Sequence, residues 1–131
     1  MGRYAFFNTG FEYKFAFGIQ SSYDIETFRG RDISVYDDDG ETKTPSIEWN
    51  SDEKEEVLEV LKEISEENCI ELPKFEDIPK NIDGTYLVDE YIKWTDTMTS
   101  NFGEPYYRFL LGCLIYHQLL YTDILTVEYE Y

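Results

Sequence analysis

The chain has 131 residues and a mass of 15.6 kDa, which predicts one domain over residues 1–131. Because 42% of the residues are hydrophobic and 18% are aromatic, the composition excludes a disordered protein. The 28 acidic and 11 basic residues give a net charge of −17. That charge excludes a general binder of nucleic acids or anionic membranes, which needs a basic footprint.

The N-terminal third predicts a hairpin followed by an irregular segment. Residues 3–8 are rich in aromatic side chains, and residues 11–17 alternate between apolar and mixed positions with the period of a strand. Thr9 and Gly10 lie between the two segments and predict the turn. Residues 23–30 are typical of a loop or a short helical turn.

Two further strands are predicted before the first long helix. Residues 32–36 favour a third strand, and residues 41–49 favour a fourth. Pro45 lies inside the fourth strand, which we therefore expect to be an edge strand or a broken one. Residues 37–40 (DDDG) predict the turn between the two. An EF-hand loop with Gly40 at its sixth position fails, because its first position would be Val35 and not aspartate.

A surface helix is predicted after Asn50, which caps it together with Glu53 three residues later. Its apolar positions share one stripe, and four of its acidic positions lie opposite. The apolar residues are Val57, Leu58, Val60, Leu61 and Ile64, and the acidic ones are Glu55, Glu59, Glu63 and Glu66.

The C-terminal half predicts two more helices and a final strand. After a loop over residues 72–84, residues 85–97 predict an amphipathic helix. Residues 106–121 predict a third helix with no continuous polar face, which must be covered nearly all round. Since one sheet and one helix cover only part of its circumference, we expect a second subunit to cover the rest, through Tyr106, Tyr107, Phe109 and Leu110. Residues 125–131 alternate and predict a strand.

These elements predict an α+β fold. It has an antiparallel sheet of about four or five strands and three helices, with the last helix central and buried. The apolar run between Phe109 and Tyr116 is shorter than the roughly 18 residues of a membrane span, so no membrane partner is expected. The N-terminus has no signal-peptide pattern, and two cysteines do not make a disulfide framework. We therefore expect a cytoplasmic protein with both cysteines, Cys69 and Cys113, reduced and mostly buried.

The acidic charge is concentrated in the middle of the chain. Residues 37–77 hold sixteen acidic and four basic residues, a net charge of −12, whereas residues 1–36 are neutral. This charge either forms a solvated helix face that keeps the protein soluble or provides a docking surface for a basic protein.

Two groups of residues are candidates for chemistry. Cys113 and His117 lie four residues apart on one helix and would suit a nucleophile with its base or half a metal site, although we favour core packing as the explanation. Arg29 and Arg31 flank Gly30 and would suit a phosphate or carboxylate ligand, although ion pairs with the acidic remainder explain them too. No motif indicates a catalytic residue, a metal or a cofactor.

The block RYAFFNTGFEYKF (residues 3–15), continued by FGIQ (residues 17–20), resembles a family of small uncharacterised proteins of large amoeba-infecting DNA viruses, such as marseillevirus-like viruses. The resemblance covers about 18 of the 131 residues. It implies a viral protein, packaged in a virion or present in the host cytoplasm, and it carries no activity or site residues with it.

Taken together, the sequence predicts a non-enzymatic interaction protein, a homodimer whose acidic surface docks a basic partner. The alternative is a small ligand-binding or enzymatic domain with a tyrosine-lined pocket that uses Arg29, Arg31 or His117. If these three groups met at one accessible cleft, the alternative would be favoured.

Overall fold

The computed structural model describes residues 4–7, 13–15, 23–36, 40, 42–72, 74–77 and 104–130. The helix predicted over residues 85–97 lies outside this part of the chain. The predicted α+β class with an antiparallel sheet is confirmed.

The described strands form one main sheet and one small two-stranded sheet. Their order in the main sheet is β2-β1-β7-β6-β3, with antiparallel pairing throughout, and β4 and β5 form a separate pair. The C-terminal strand β7 therefore lies in the middle of the sheet. The bounds are β1 Tyr4–Phe7, β2 Tyr13–Phe15, β3 Arg31–Asp32, β4 Val35–Tyr36, β5 Thr42–Thr44, β6 Ser46–Asn50 and β7 Ile124–Glu130.

The predicted third strand is two short strands because its hydrogen-bond partner changes at Ser34. The backbone N–H of Ile33 still donates to the Ser46 carbonyl (3.0 Å), and the N–H of Ser34 donates instead to Asp32 Oδ1 (2.9 Å). This local bond ends the pairing of β3 with β6, so the chain continues as β4 beside β5. The hydroxyl and N–H of Ser34 lower the pKa of the Asp32 carboxyl.

The predicted fourth strand is broken at Pro45, as its missing N–H requires. On the other side of this proline, β6 pairs with β7 and β3 and lies inside the sheet. Its register places Ile47 opposite Val127 and Trp49 opposite Leu125. All four side chains are almost fully buried and form the inner face of the sheet.

The part of the chain that the structure describes has three helices. They are α1 Tyr23–Glu26, α2 Lys54–Asn68 and α3 Glu104–Leu119, with 3-10 turns at Ser51–Glu53 and Phe75–Asp77. Helix α3 contacts the sheet at β7, and the other two helices contact α3. The predicted cap is present, because the Asn50 N–H donates to Glu53 Oε1 (2.8 Å) before the first 3-10 turn. The stripe of α2 is also as predicted: Val57, Val60, Leu61 and Ile64 are buried.

Residues 109–119 of helix α3 are buried within one chain, and this changes the argument for a dimer. Every residue from 109 to 119 is buried, including Phe109 (0% exposed) and Leu110 (1%), which were expected at an interface with a second subunit. The sheet, α2 and α1 all contact α3, and Phe75 packs edge-on against Tyr116 at 4.5 Å between ring centroids. The expectation that a single chain leaves this helix uncovered is therefore wrong at these positions. The side chains of Tyr106 and Tyr107 lie outside the described part.

Candidate functional site

The outward face of α2 is lined by glutamates. Because an α-helix advances about 100° per residue, six exposed glutamates fall within an arc of about 120° opposite the buried stripe. We call this face the acidic surface. Its residues are Glu55, Glu56, Glu59, Glu63, Glu66 and Glu67.

Arg29 binds to the acidic surface from the segment after α1. Its Nη1 lies 3.5 Å from Glu59 Oε2 and its Nη2 lies 3.9 Å from Glu63 Oε1. The backbone of Arg29 is left-handed (φ 65°), which is uncommon for a residue other than glycine, and its N–H closes the turn to Glu26. One guanidinium therefore contacts two carboxylates that are one helical turn apart.

Arg31 makes a second set of ion pairs beside the cap of α2. Its Nη1 lies 2.5 Å from Glu53 Oε1 and its Nη2 lies 2.9 Å from Glu48 Oε1. The hydrogen bonds to Glu48 and Glu53 raise the pKa of Arg31 above its ordinary value. Because Glu53 also accepts the N–H of Asn50, Arg31 links strand β3 to the start of α2.

Gly30, between the two arginines, is a packing residue and not a flexible link of an anion grip. A Cβ at this position would collide with the Ile47 side chain and would come within 2.6 Å of the Trp49 ring. The close approach of the backbone to the sheet therefore requires glycine here. The two arginines extend from a segment that is pressed against the core, and both are engaged with carboxylates.

His117 and Cys113 lie in the core. Both are 0% exposed, and the His117 ring makes an edge contact with Tyr121 at 5.3 Å between centroids. A nucleophile needs access to solvent or substrate, which neither side chain has here. Their position supports the packing interpretation of this pair.

The two cysteines differ in exposure, and this yields a direct test. Cys113 is buried as expected, whereas Cys69 is exposed, contrary to expectation, because it ends α2 in a left-handed conformation (φ 55°) beyond the last buried turn. We expect iodoacetamide to label only Cys69 in the native protein and both thiols after denaturation, as measured by peptide mass spectrometry. The Cys69→Ser variant should stay unlabelled in its native state. Rapid native labelling at Cys113 would contradict the described burial.

A cavity of about 600 Å³ opens beside the acidic surface. Its apolar walls come from three places: Leu58 on α2, Leu72 and Phe75 after α2, and Tyr116 and Leu120 at the end of α3. Leu58, Leu72 and Leu120 are only partly buried by the rest of the protein. The cavity therefore leaves apolar side chains in contact with solvent, which is typical of ligand-binding clefts.

Charged and polar groups line the same cavity. Lys62 and Lys74 contribute ammonium groups, Glu76 a carboxylate and Tyr121 a second phenol. Burial of the Tyr116 hydroxyl, together with the charges of Glu55 and Glu76, raises the pKa of that hydroxyl, so it stays protonated at neutral pH.

The predicted ligand residues do not meet. Arg29 and Arg31 are exposed and bound to carboxylates, His117 is inside the core, and none of the three lines the cavity. The sequence analysis missed Lys62 and Lys74 as site residues. The signal was present, since both lysines lie next to apolar positions in the most acidic third of the chain.

Comparison with protein-family models, curated proteins and solved structures finds no match to this chain. Within the described ranges, no three histidine, cysteine, aspartate or glutamate side chains are grouped to hold a metal ion. Among the helices of that same part, none has both the length and the apolar character needed to cross a membrane.

Proposed function

We propose that this protein is a non-enzymatic interaction protein that docks a basic partner on the acidic surface. One observation carries the proposal: six exposed glutamates share one face of a helix whose other face is packed in the core. The charges are therefore held on a rigid element, where they attract and orient a cationic partner without refolding.

The chain's own arginine supports a role in binding guanidinium groups. Arg29 already forms exposed ion pairs with Glu59 and Glu63, with N–O distances of 3.5 and 3.9 Å. Within the described part of the chain, Glu55, Glu56, Glu66 and Glu67 form no ion pair. These four carboxylates are the groups that we propose to contact the partner.

The alternative, a ligand-binding or enzymatic domain that uses Arg29, Arg31 or His117, is less well supported. It needs the three groups at one accessible cleft, whereas the arginines are engaged in ion pairs and the histidine is buried. The docking proposal makes no use of His117 and accounts for both arginines as internal partners of carboxylates.

Binding of a nona-arginine peptide tests the proposal. We expect the double variant Glu66→Gln/Glu67→Gln to bind the peptide about fourfold more weakly, because each exposed pair contributes about 0.4 kcal/mol. Affinity should also fall as salt is raised. Isothermal titration calorimetry measures both effects.

The matched control neutralises two exposed acids elsewhere, Glu26→Gln/Asp123→Asn. Both double variants change the net charge from −17 to −15, so only the position of the charges differs. An equal loss of affinity in the two variants would mean that net charge alone attracts the peptide, and absence of binding to the unmodified protein would also overturn the proposal. Circular dichroism confirms that the variants are folded.

The homodimer and the viral origin stay predictions. A dimer would have to use a surface other than Phe109 and Leu110, which are buried inside one chain. The segment around β4 offers such a surface, because its large apolar residues Ile33, Val35 and Tyr36 are 41%, 56% and 54% exposed. A role in a virion or in host cytoplasm is supported by the resemblance of residues 3–20 alone.

A further inference from the structure

We propose that the cavity between α2 and α3 binds a small apolar molecule with one anionic group, of which a medium-chain fatty acid is the simplest example. The inference is independent of the acidic surface and of any protein partner. It rests on the distribution of charge around the cavity and on its apolar walls, where Leu58, Leu72 and Leu120 are only partly buried.

Lysines are more frequent around the cavity, relative to acidic residues, than in the surrounding sequence. Residues 51–77 contain eleven acidic residues and three lysines. Two of the three lysines, Lys62 and Lys74, line the cavity, whereas Glu76 alone does so among the ten acids whose side chains the structure describes. The most acidic segment of the chain therefore presents two of its three lysines at this one place, where an anionic head group would meet them.

Covalent connectivity alone does not bring these lysines together. Lys62 lies on the exposed side of α2, one turn after Leu58, and Lys74 lies beyond the end of the helix, next to Phe75. The chain turns back at Cys69, and the Ser65 hydroxyl donates to the Ile70 carbonyl and holds this turn. The turn places both lysines in the lining of the same cavity.

The walls suit an acyl chain. Leu58, Leu72 and Leu120 are partly buried, and Phe75 and Tyr116 meet edge to face between them. A cavity of about 600 Å³ is within the usual range for small-molecule sites. An alkyl chain would cover this apolar surface, and its carboxylate would remain at the rim beside Lys62 and Lys74.

Titration of the full-length protein with decanoate, below the concentration at which it forms micelles, tests the inference. We expect decanoate to bind more tightly than octanoate, by up to about fourfold for each added methylene that is buried. Decyltrimethylammonium has the same chain with a cationic head, and it should bind more weakly than decanoate.

Lysine variants test the head-group contact. Each of Lys62→Gln and Lys74→Gln should weaken decanoate binding about threefold, and the double variant about tenfold. The matched control is Lys54→Gln, which removes the one lysine of residues 51–77 that does not line the cavity and should leave the affinity unchanged. Each of the three single variants changes the net charge by one unit, so a general charge effect would lower their affinities for decanoate equally.

Several outcomes would overturn the inference. They are absence of decanoate binding, equal affinity for decanoate and decyltrimethylammonium, affinity independent of chain length, and equal loss in all three lysine variants. Loss of peptide binding on the acidic surface would leave this result untouched, so the two proposals fail separately.

Discussion

Replacing Trp49 with alanine is expected to lower the free energy of unfolding by about 4 kcal/mol. Among the described residues Trp49 is the largest fully buried side chain, and its Nε1 donates to the Phe28 carbonyl at 2.9 Å. The substitution removes an indole from the face of the sheet that supports α3 and leaves the Phe28 carbonyl without this donor. Chemical denaturation followed by far-ultraviolet circular dichroism measures the change.

A milder variant keeps this prediction testable if the alanine variant does not fold. Trp49→Phe retains most of the apolar volume and loses the donor, so we expect a loss of about 2 kcal/mol. Ile33→Ala, at a position that is 41% exposed, serves as the control and should change stability by less than about 0.5 kcal/mol. If Trp49→Ala and Ile33→Ala had the same effect, the described core would be contradicted.

Gly112→Ala is expected to destabilise the protein by about 1 kcal/mol, although alanine is the better helix former. Helix propensity alone predicts a gain of about 1 kcal/mol. A Cβ at Gly112, however, would collide with the Phe28 ring and would lie 2.7 Å from a methyl carbon of Leu61. The overpacking term of about 1–3 kcal/mol therefore exceeds the propensity term, and the sign of the measured change decides between them.

A double-mutant cycle identifies the collision. Phe28→Leu is destabilising alone, but it removes the ring atoms that a Cβ at Gly112 would meet. The double variant Gly112→Ala/Phe28→Leu should therefore be more stable than the sum of the two single effects by at least about 1 kcal/mol, measured by urea denaturation. Additive effects, or a stabilised Gly112→Ala protein, would mean that α3 does not approach Phe28 as closely as described.

The capped start of α2 and its buried face could be predicted because their signals are local. The Asn50–Glu53 cap, the apolar period of 3.6 and the opposing glutamates all lie within about twenty residues of one another. The break at Pro45 is local for the same reason. The division of residues 31–36 into two strands was not predictable. It depends on a change of pairing partner at Ser34, before which β3 pairs with β6 and after which β4 pairs with β5.

The covering of α3 could be predicted only in part. Its lack of a polar face correctly indicated burial, since an apolar surface on every side must be removed from water. The number of covering elements could not be counted from the helix itself. Two aromatic rings that pack against α3 come from short segments, Phe28 after α1 and Phe75 in a 3-10 turn. Segments this short were not expected to cover a helix.

The sequence by itself determined the α+β class, the concentration of acid in the middle of the chain and the burial of its last helix. These properties depend on composition and on short periods along the chain. Only the tertiary structure decided that Arg29 meets Glu59 and Glu63, that His117 is inaccessible, and that Lys62 and Lys74 share one cavity. The reason is that a site is defined by distances between segments, and those distances are set by the packing of sheet, helices and turns around one core.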